Sequence, residues 1–118
     1  MPEDAYLKLT LRERVELLDE IHRIVDGNLP VSPDLLARAA QITDANAALF
    51  DPAHDYAGSI PGLHEVLRRQ GLMSNNLTLK HDEVLAPGQL EEIDRVLAAY
   101  PHLQDDEFVA QHLPQWLA

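Results

Sequence analysis

The chain contains no cysteine, and that single absence removes disulfide staples, thiolate metal sites and a cysteine nucleophile together. It fits a reducing compartment. Aromatic residues are scarce at 5%, so a core has to be built from Leu, Ala, Val and Ile. Basic residues are scarce too: 9 Lys and Arg stand against 20 Asp and Glu, giving a formal net charge of −11. Nucleic-acid binding requires clustered cations against the phosphate backbone, and the few present are scattered, so nucleic acid is disfavoured as a partner. No apolar run reaches the roughly 20 residues of a membrane span. The opening "MPEDAYLKLT" lacks a basic stretch followed by an apolar one. No membrane association is expected, and the cytoplasm is the expected location. Glycine-rich phosphate loops and Gly-x-Ser-x-Gly elbows are also missing.

What remains is a helical pattern. At 118 residues the chain is one domain's worth, and it falls short of the roughly 250 residues of a barrel enzyme. In "TLRERVELLDEIHRIVDG", Thr10 and Glu13 form a capping box. Gly27 supplies the stop, and Leu11, Val15, Leu18, Ile21 and Val25 trace one apolar face that needs a partner. A second helix is expected from the N-cap Ser32 and Pro33, with Leu35, Leu36, Ala39, Ile42, Ala45 and Leu49 facing a core and Pro52 as its limit. A third lies in "GSIPGLHEVLRRQGL". There Ser59 can cap, Gly71 sits where a left-handed residue ends a helix, and Leu72 folds back on the last turn. Its expected buried side is Ile60, Leu63, Val66 and Leu67. Leu77 and Leu79 belong to an extended linker. A fourth helix runs from Pro87 to before Pro101 with Leu90, Ile93, Val96, Leu97 and Tyr100 inward. A last one starts at Asp105 or Asp106 and stops near Pro114, leaving Trp116 and Leu117 as an apolar hook. The expected architecture is all-α: a compact bundle of about five helices, residues 1–118 forming a single domain.

The polar residues fit few specific chemistries. His64-Glu65 opens like a zinc-protease helix, but the second histidine of that motif would fall at Arg68, so the motif fails. Asp51, His54 and Asp55 could ligate a divalent ion if their loop curled. The ordinary reading, a helix stop followed by a new cap at Asp55, is preferred, so no metal site is assigned. His81-Asp82-Glu83 reads as a solvated charge run, and Asp105-Asp106-Glu107 as acids at the positive end of a helix. Lys8 and Lys80, the only lysines, do not lie in apolar strands that would depress an amine's pKa for Schiff-base formation. Arg68 and Arg69, about 100° apart on a helix, are expected to pair with the chain's own acids. No catalytic residue and no cofactor is expected.

From "DANAALFDPAHDYAGSIPGLHEVLRRQGL" through "LAPGQLEEIDRVLAAY" the order of parts resembles the C-terminal helical portion of the dihydrodipicolinate synthase and N-acetylneuraminate lyase family. A helix ends in Ala-Leu-Phe, Ile60-Pro61 opens a helix closed by Gly71-Leu72, and Leu85-Ala86-Pro87 opens another that ends near Tyr100. The tail "AYPHLQDDEFVAQHLPQWLA" is similar to the close of a divergent branch of that family. The resemblance covers 33–118 and implies an appendage that packs beside a (β/α)₈ barrel and contributes oligomer contacts. The family's Schiff-base lysine, tyrosine relay and Gly-Thr-Thr loop have no counterpart here, so no catalytic residue carries over. Two expectations follow: a non-catalytic domain or fragment of such a lyase, associating with itself or with a barrel-containing subunit, or a stand-alone acidic protein-interaction module. A small metal-dependent enzyme centred on Asp51 and His54 is the third.

Overall fold

In the computed structural model, residues 17–118 are described. Thr10, Glu13, Leu11, Val15 and Lys8 lie outside them. Five α-helices and two short 3-10 turns account for the regular structure of the described residues, which contain no strand. Helix α1 covers 17–26, α2 Pro33–Phe50, α3 Ser59–Arg69, α4 Gln89–Ala99 and α5 Asp106–Trp116. The all-α bundle with an extended linker is therefore the observed architecture. There is no (β/α)₈ barrel among these residues.

Helix boundaries follow local chemistry, with instructive departures. Ser32 caps α2 as expected, its hydroxyl accepting from Leu35 N–H at 3.1 Å, with Pro33 in the first turn. The end of α1 is a Schellman turn, with Leu29 N–H donating to Ile24 C=O at 2.9 Å and Asn28 N–H to Val25 C=O at 3.3 Å. The left-handed residue in it is Asn28 (φ 48°) rather than Gly27. Asparagine tolerates that region because its short polar side chain bonds locally. Helix α3 closes with the same motif in the expected register: Leu72 N–H meets Leu67 C=O at 2.9 Å, Gly71 N–H meets Arg68 C=O at 3.0 Å, and Gly71 carries φ +83°. Ser59 does not cap α3; Gly58 holds the cap position, without a side-chain bond.

Helix α5 runs through Pro114 to Trp116, past the expected stop. Proline removes its own N–H donor and crowds the carbonyl four residues back, but the bond that closes the last turn, Leu117 N–H to Leu113 C=O at 3.0 Å, is intact. The last turn is also held by a ring column: Phe108 and His112 centroids lie 4.3 Å apart, and His112 stacks on Trp116 at 5.6 Å. Trp116 thus belongs to the helix and not to a hook.

Helix α2 packs against both α3 and α4. The core at that crossing is Ala48, Ile93 and Val96, flanked by Ala45, Leu49, Leu85, Leu97 and Tyr100. Polar bonds cross-link the same helices on the outside: Arg95 grips Asp44 with two nitrogens at 2.7 and 2.9 Å, and Tyr100 O–H donates to Asp44 at 2.7 Å. These bonds hold the Asp44 carboxyl down at about 2. Gln70 reaches from the end of α3 to Asp105 and Asp106 at the start of α5, at 2.7 and 2.9 Å.

The faces that are buried differ from expectation in three helices. In α2, Leu36 and Ala39 lie exposed and Ala48 is the buried residue. In α4, Gln89 is buried and Leu90 is exposed. In α3 the reversal is partial: Pro61, Gly62 and Glu65 are buried and Ile60 and Leu63 are 46% and 39% exposed, while Val66 and Leu67 of the expected side are half-buried. The physical reason is close approach. A Cβ at Gly62 would run into the main-chain carbonyl of Leu49 on α2, and one at Gly58 into the Gln89 amide on α4. The small-residue side of α3 therefore meets its neighbours, and the apolar arc carrying Ile60 and Leu63 is left toward solvent.

Candidate functional site

The densest buried polar constellation lies where the end of α2 and the starts of α3 and α4 converge. Asp51, in the left-handed region at φ 54°, ends α2. Its main-chain oxygen accepts from Tyr56 N–H at 2.9 Å and from His54 N–H at 3.2 Å. Its carboxylate, 5% exposed as a residue, accepts Gly58 N–H on Oδ2 at 3.0 Å and faces His54 Nδ1 across 2.6 Å on Oδ1. A carboxylate only accepts, so Nδ1 of His54 carries the hydrogen and Nε2 is the ring's remaining polar atom. Gln89 completes the junction. Its amide donates to Ala48 C=O at 3.1 Å and Gly58 C=O at 2.9 Å, and its Oε1 accepts Ala86 N–H at 2.9 Å. One side chain thus ties three segments together. Beside it opens a cleft of about 390 Å³, lined by Asp51, His54, Gln89 and Glu92 among others.

An imidazole anchored through Nδ1 by a buried carboxylate is half of an acid–base device, but the described contacts give it no nucleophile to activate. The structure brings Asp51 and His54 of the candidate metal trio together. Asp55 neither joins them nor caps a helix through its side chain: it is the exposed left-handed end of the 3-10 turn Pro52–His54, at φ 55°. Among the described residues, no three His, Asp or Glu side chains are grouped so as to hold a metal ion. What the Asp51 contacts achieve is to close the loop between α2 and α3 at a fixed angle.

Glu65 sits in a second cluster. Its carboxylate, 2% exposed, accepts from Arg68 Nε and Nη2 at 3.0 and 2.7 Å, from Arg69 Nε at 3.1 Å and from Asn76 at 3.0 Å. Bonding by Arg68, then Arg69 and Asn76, outweighs the burial penalty and holds the carboxyl at about 2 instead of its ordinary 4.5. Such a group is a fixed anion, unsuited to giving or taking protons near neutrality. Neighbouring His64 turns the other way and meets Leu77 C=O through Nδ1 at 2.7 Å, fastening the linker to α3. The pairing of Arg68 and Arg69 with the chain's own acids is as expected, and Arg69 also grips Asp94.

Lys80 and His81 line a cleft of about 410 Å³ between the linker and Pro61, both exposed. Asp106 and Glu107 lie in the first turn of α5, with Asp105 just ahead of it. The residues that sequence reasoning missed are Gln89, Gly58 and Gly62. The two glycines stand four apart across the start of a helix, a spacing that marks close backbone approach. Gln89 carries no local signal, because its partners lie 31 and 41 positions away.

No family model, no curated protein and no solved structure matches this chain. Among the described residues no helix is long and apolar enough to cross a membrane.

Proposed function

We propose that the chain is a non-catalytic helical module that works by contacting another polypeptide, with α1 and the loop after it as the contact. One observation carries the reading: Leu18, Ile21, Val25, Leu29 and Val31 are all exposed, Val25 to 69%. Three of them recur at helical spacing on a single arc of α1. A contiguous apolar stripe of this kind on a water-facing helix marks a site of association. The polar clusters, by contrast, are satisfied internally and fix helix angles.

The test uses an apolar fluorescent dye together with light scattering. Dye enhancement or self-association is expected, and should diminish in the double variant Ile21→Ser/Val25→Ser. A monomer at high concentration that enhances no dye overturns the reading. A second reading, an appendage of a dihydrodipicolinate synthase-like lyase, draws support from the order of parts: Ala48-Leu49-Phe50 ends α2, Ile60-Pro61 lie in the first turn of α3 and Gly71-Leu72 follow its end, and Ala86-Pro87 precede α4. In that reading the occupant of the face is a second copy or a barrel-containing subunit. Pyruvate with borohydride should leave the mass of the chain unchanged; an adduct on Lys8 or Lys80 would overturn the non-catalytic assignment.

A further inference from the structure

We infer that the occupant of the α1 face is a cationic amphipathic helix from a different protein, an inference that rests on the interaction role proposed above. The apolar arc of α1 runs from Ile24, which is buried, through Ile21 to Val25 and Leu18, which are exposed. At about 100° per residue, the next positions beyond Leu18 are His22, then Asp26 and Asp19 about 80–100° round. Arg23 lies farther off, at about 140°. The other flank is already occupied: Glu20 meets Arg38 of α2 at 3.6 Å. The open rim of the stripe is therefore carboxylate-rich.

Among the described residues Arg23 is the one cation on that helix, set against Asp19 and Asp26, and the chain as a whole stays acidic. Acids outnumber Lys and Arg by 20 to 9, and Arg38, Arg68, Arg69 and Arg95 are each held by carboxylates of the chain itself. A second copy would bring another charge of −11 against the first, and a two-fold contact would set one acidic rim near its equivalent. A helix with a Leu or Ile stripe flanked by Lys and Arg matches both the apolar arc and its border. The exposed arc of α3 is bordered differently, by His64 and Arg68 about 40° and 80° beyond Ile60, so it does not fit the same partner.

The experiment uses the intact chain and two labelled synthetic peptides with one Leu stripe at helical spacing, filled elsewhere with Lys in one and Glu in the other. Binding is read by fluorescence anisotropy at low and high salt, alongside sedimentation of the chain alone. The Lys peptide should bind about tenfold or more tighter than the Glu peptide, weaken with salt, and lose about tenfold with Ile21→Ser/Val25→Ser. Leu63→Ser on α3 should change nothing. Serine adds no charge, so lost binding reports the apolar face itself, and unchanged helicity by circular dichroism shows that the variants fold. Equal binding of both peptides overturns the cationic assignment and leaves the interaction role standing. A stable dimer that excludes the Lys peptide does the same, with a second copy as the occupant. Lys-peptide binding insensitive to Ile21→Ser/Val25→Ser reflects bulk charge alone and overturns both the inference and the assignment of α1 as the contact.

Discussion

Replacing Glu65 with Gln should destabilise the domain by an amount that depends on pH in a defined direction. In the folded chain the carboxyl is held at about 2, against an ordinary 4.5. A depressed carboxyl contributes its full stabilisation above its unfolded pKa and loses it as pH falls toward the folded one. The shift corresponds to a ceiling of about 3 kcal/mol. Water reduces this, because Arg68 and Arg69 keep 45% and 27% of their side-chain surface exposed and recover hydration when the anion is removed, so about 2 kcal/mol is expected near neutral pH. The glutamine amide would also point two donors at guanidinium groups that donate only. Urea unfolding of the parent and Glu65→Gln, followed by circular dichroism across an acid series, measures the gap directly. It should be widest above pH 4.5 and close toward pH 2, the range the carboxyl crosses. Asp44 titrates in the same range, but it is present in both proteins and cancels in the difference. A gap that stays constant with pH, or a variant as stable as the parent at neutrality, would refute the assignment of Glu65 as a buried stabilising anion.

At the three-way junction, Gln89→Ala leaves Ala48 C=O, Gly58 C=O and Ala86 N–H without their side-chain partner, and should cost about 2–3 kcal/mol. Gly58→Ala forces a methyl into the Gln89 amide and should cost about 2 kcal/mol. The double variant should fall short of the sum by about 1 kcal/mol, since removing Gln89 frees the space the methyl needs; full additivity in chemical denaturation would mean the two do not share a site. At the end of α3, Gly71→Ala should lower stability by about 1–2 kcal/mol because φ is positive there, and Gly71→Asn by less. Equal losses in thermal melts would assign the cost to the side chain of Leu113, which stands 2.9 Å from a Cβ at this position.

Helix existence and punctuation were legible because they depend on neighbours in sequence. Ser32 three residues before the N–H it accepts, Gly71 followed by Leu72, and Pro33 in a first turn are all local arrangements whose geometry follows from residue type. The proline at position 114 misled because its effect on a helix is local and negative, whereas the Phe108–His112–Trp116 column that carries α5 onward is a ring contact between successive turns. The buried face was legible in α4, where Ile93 and Val96 point inward as expected, and only in part in α3. Glu65 carries no local sign of burial. Its burial depends on Asn76 in the linker as well as on Arg68 and Arg69, and a charge reads as surface unless its partners are known. For Asp51 and His54, the spacing of three allowed contact, and the 2.6 Å bond makes use of it. The N–H of Gly58, seven positions on, takes the other oxygen, a contact with no local signal.

Amphipathic periodicity measures where apolar side chains lie on a helix, and it predicts the buried side only when burial of side-chain area decides the packing. In α3 a competing criterion wins. Gly58 and Gly62 let the backbones of α2 and α4 come close enough for Gln89 to bond the carbonyls of Ala48 and Gly58 at once, an approach that a Cβ at either position would prevent. Once the small face is committed inward, Ile60 and Leu63 have to face out. The cluster of Ala48, Ile93 and Val96 lies at the α2–α4 crossing, and Ile24 on α1 and Val109 on α5 are buried apart from it. The exposed apolar arc of α3 is thus a consequence of how its angle to α2 and α4 is fixed, and the stripe on α1 lies apart from the polar clusters. Substitutions at Ile21 and Val25 should accordingly alter association while leaving the junction intact, and substitutions at Gln89 or Glu65 should lower stability while leaving the chemistry of the α1 stripe unchanged.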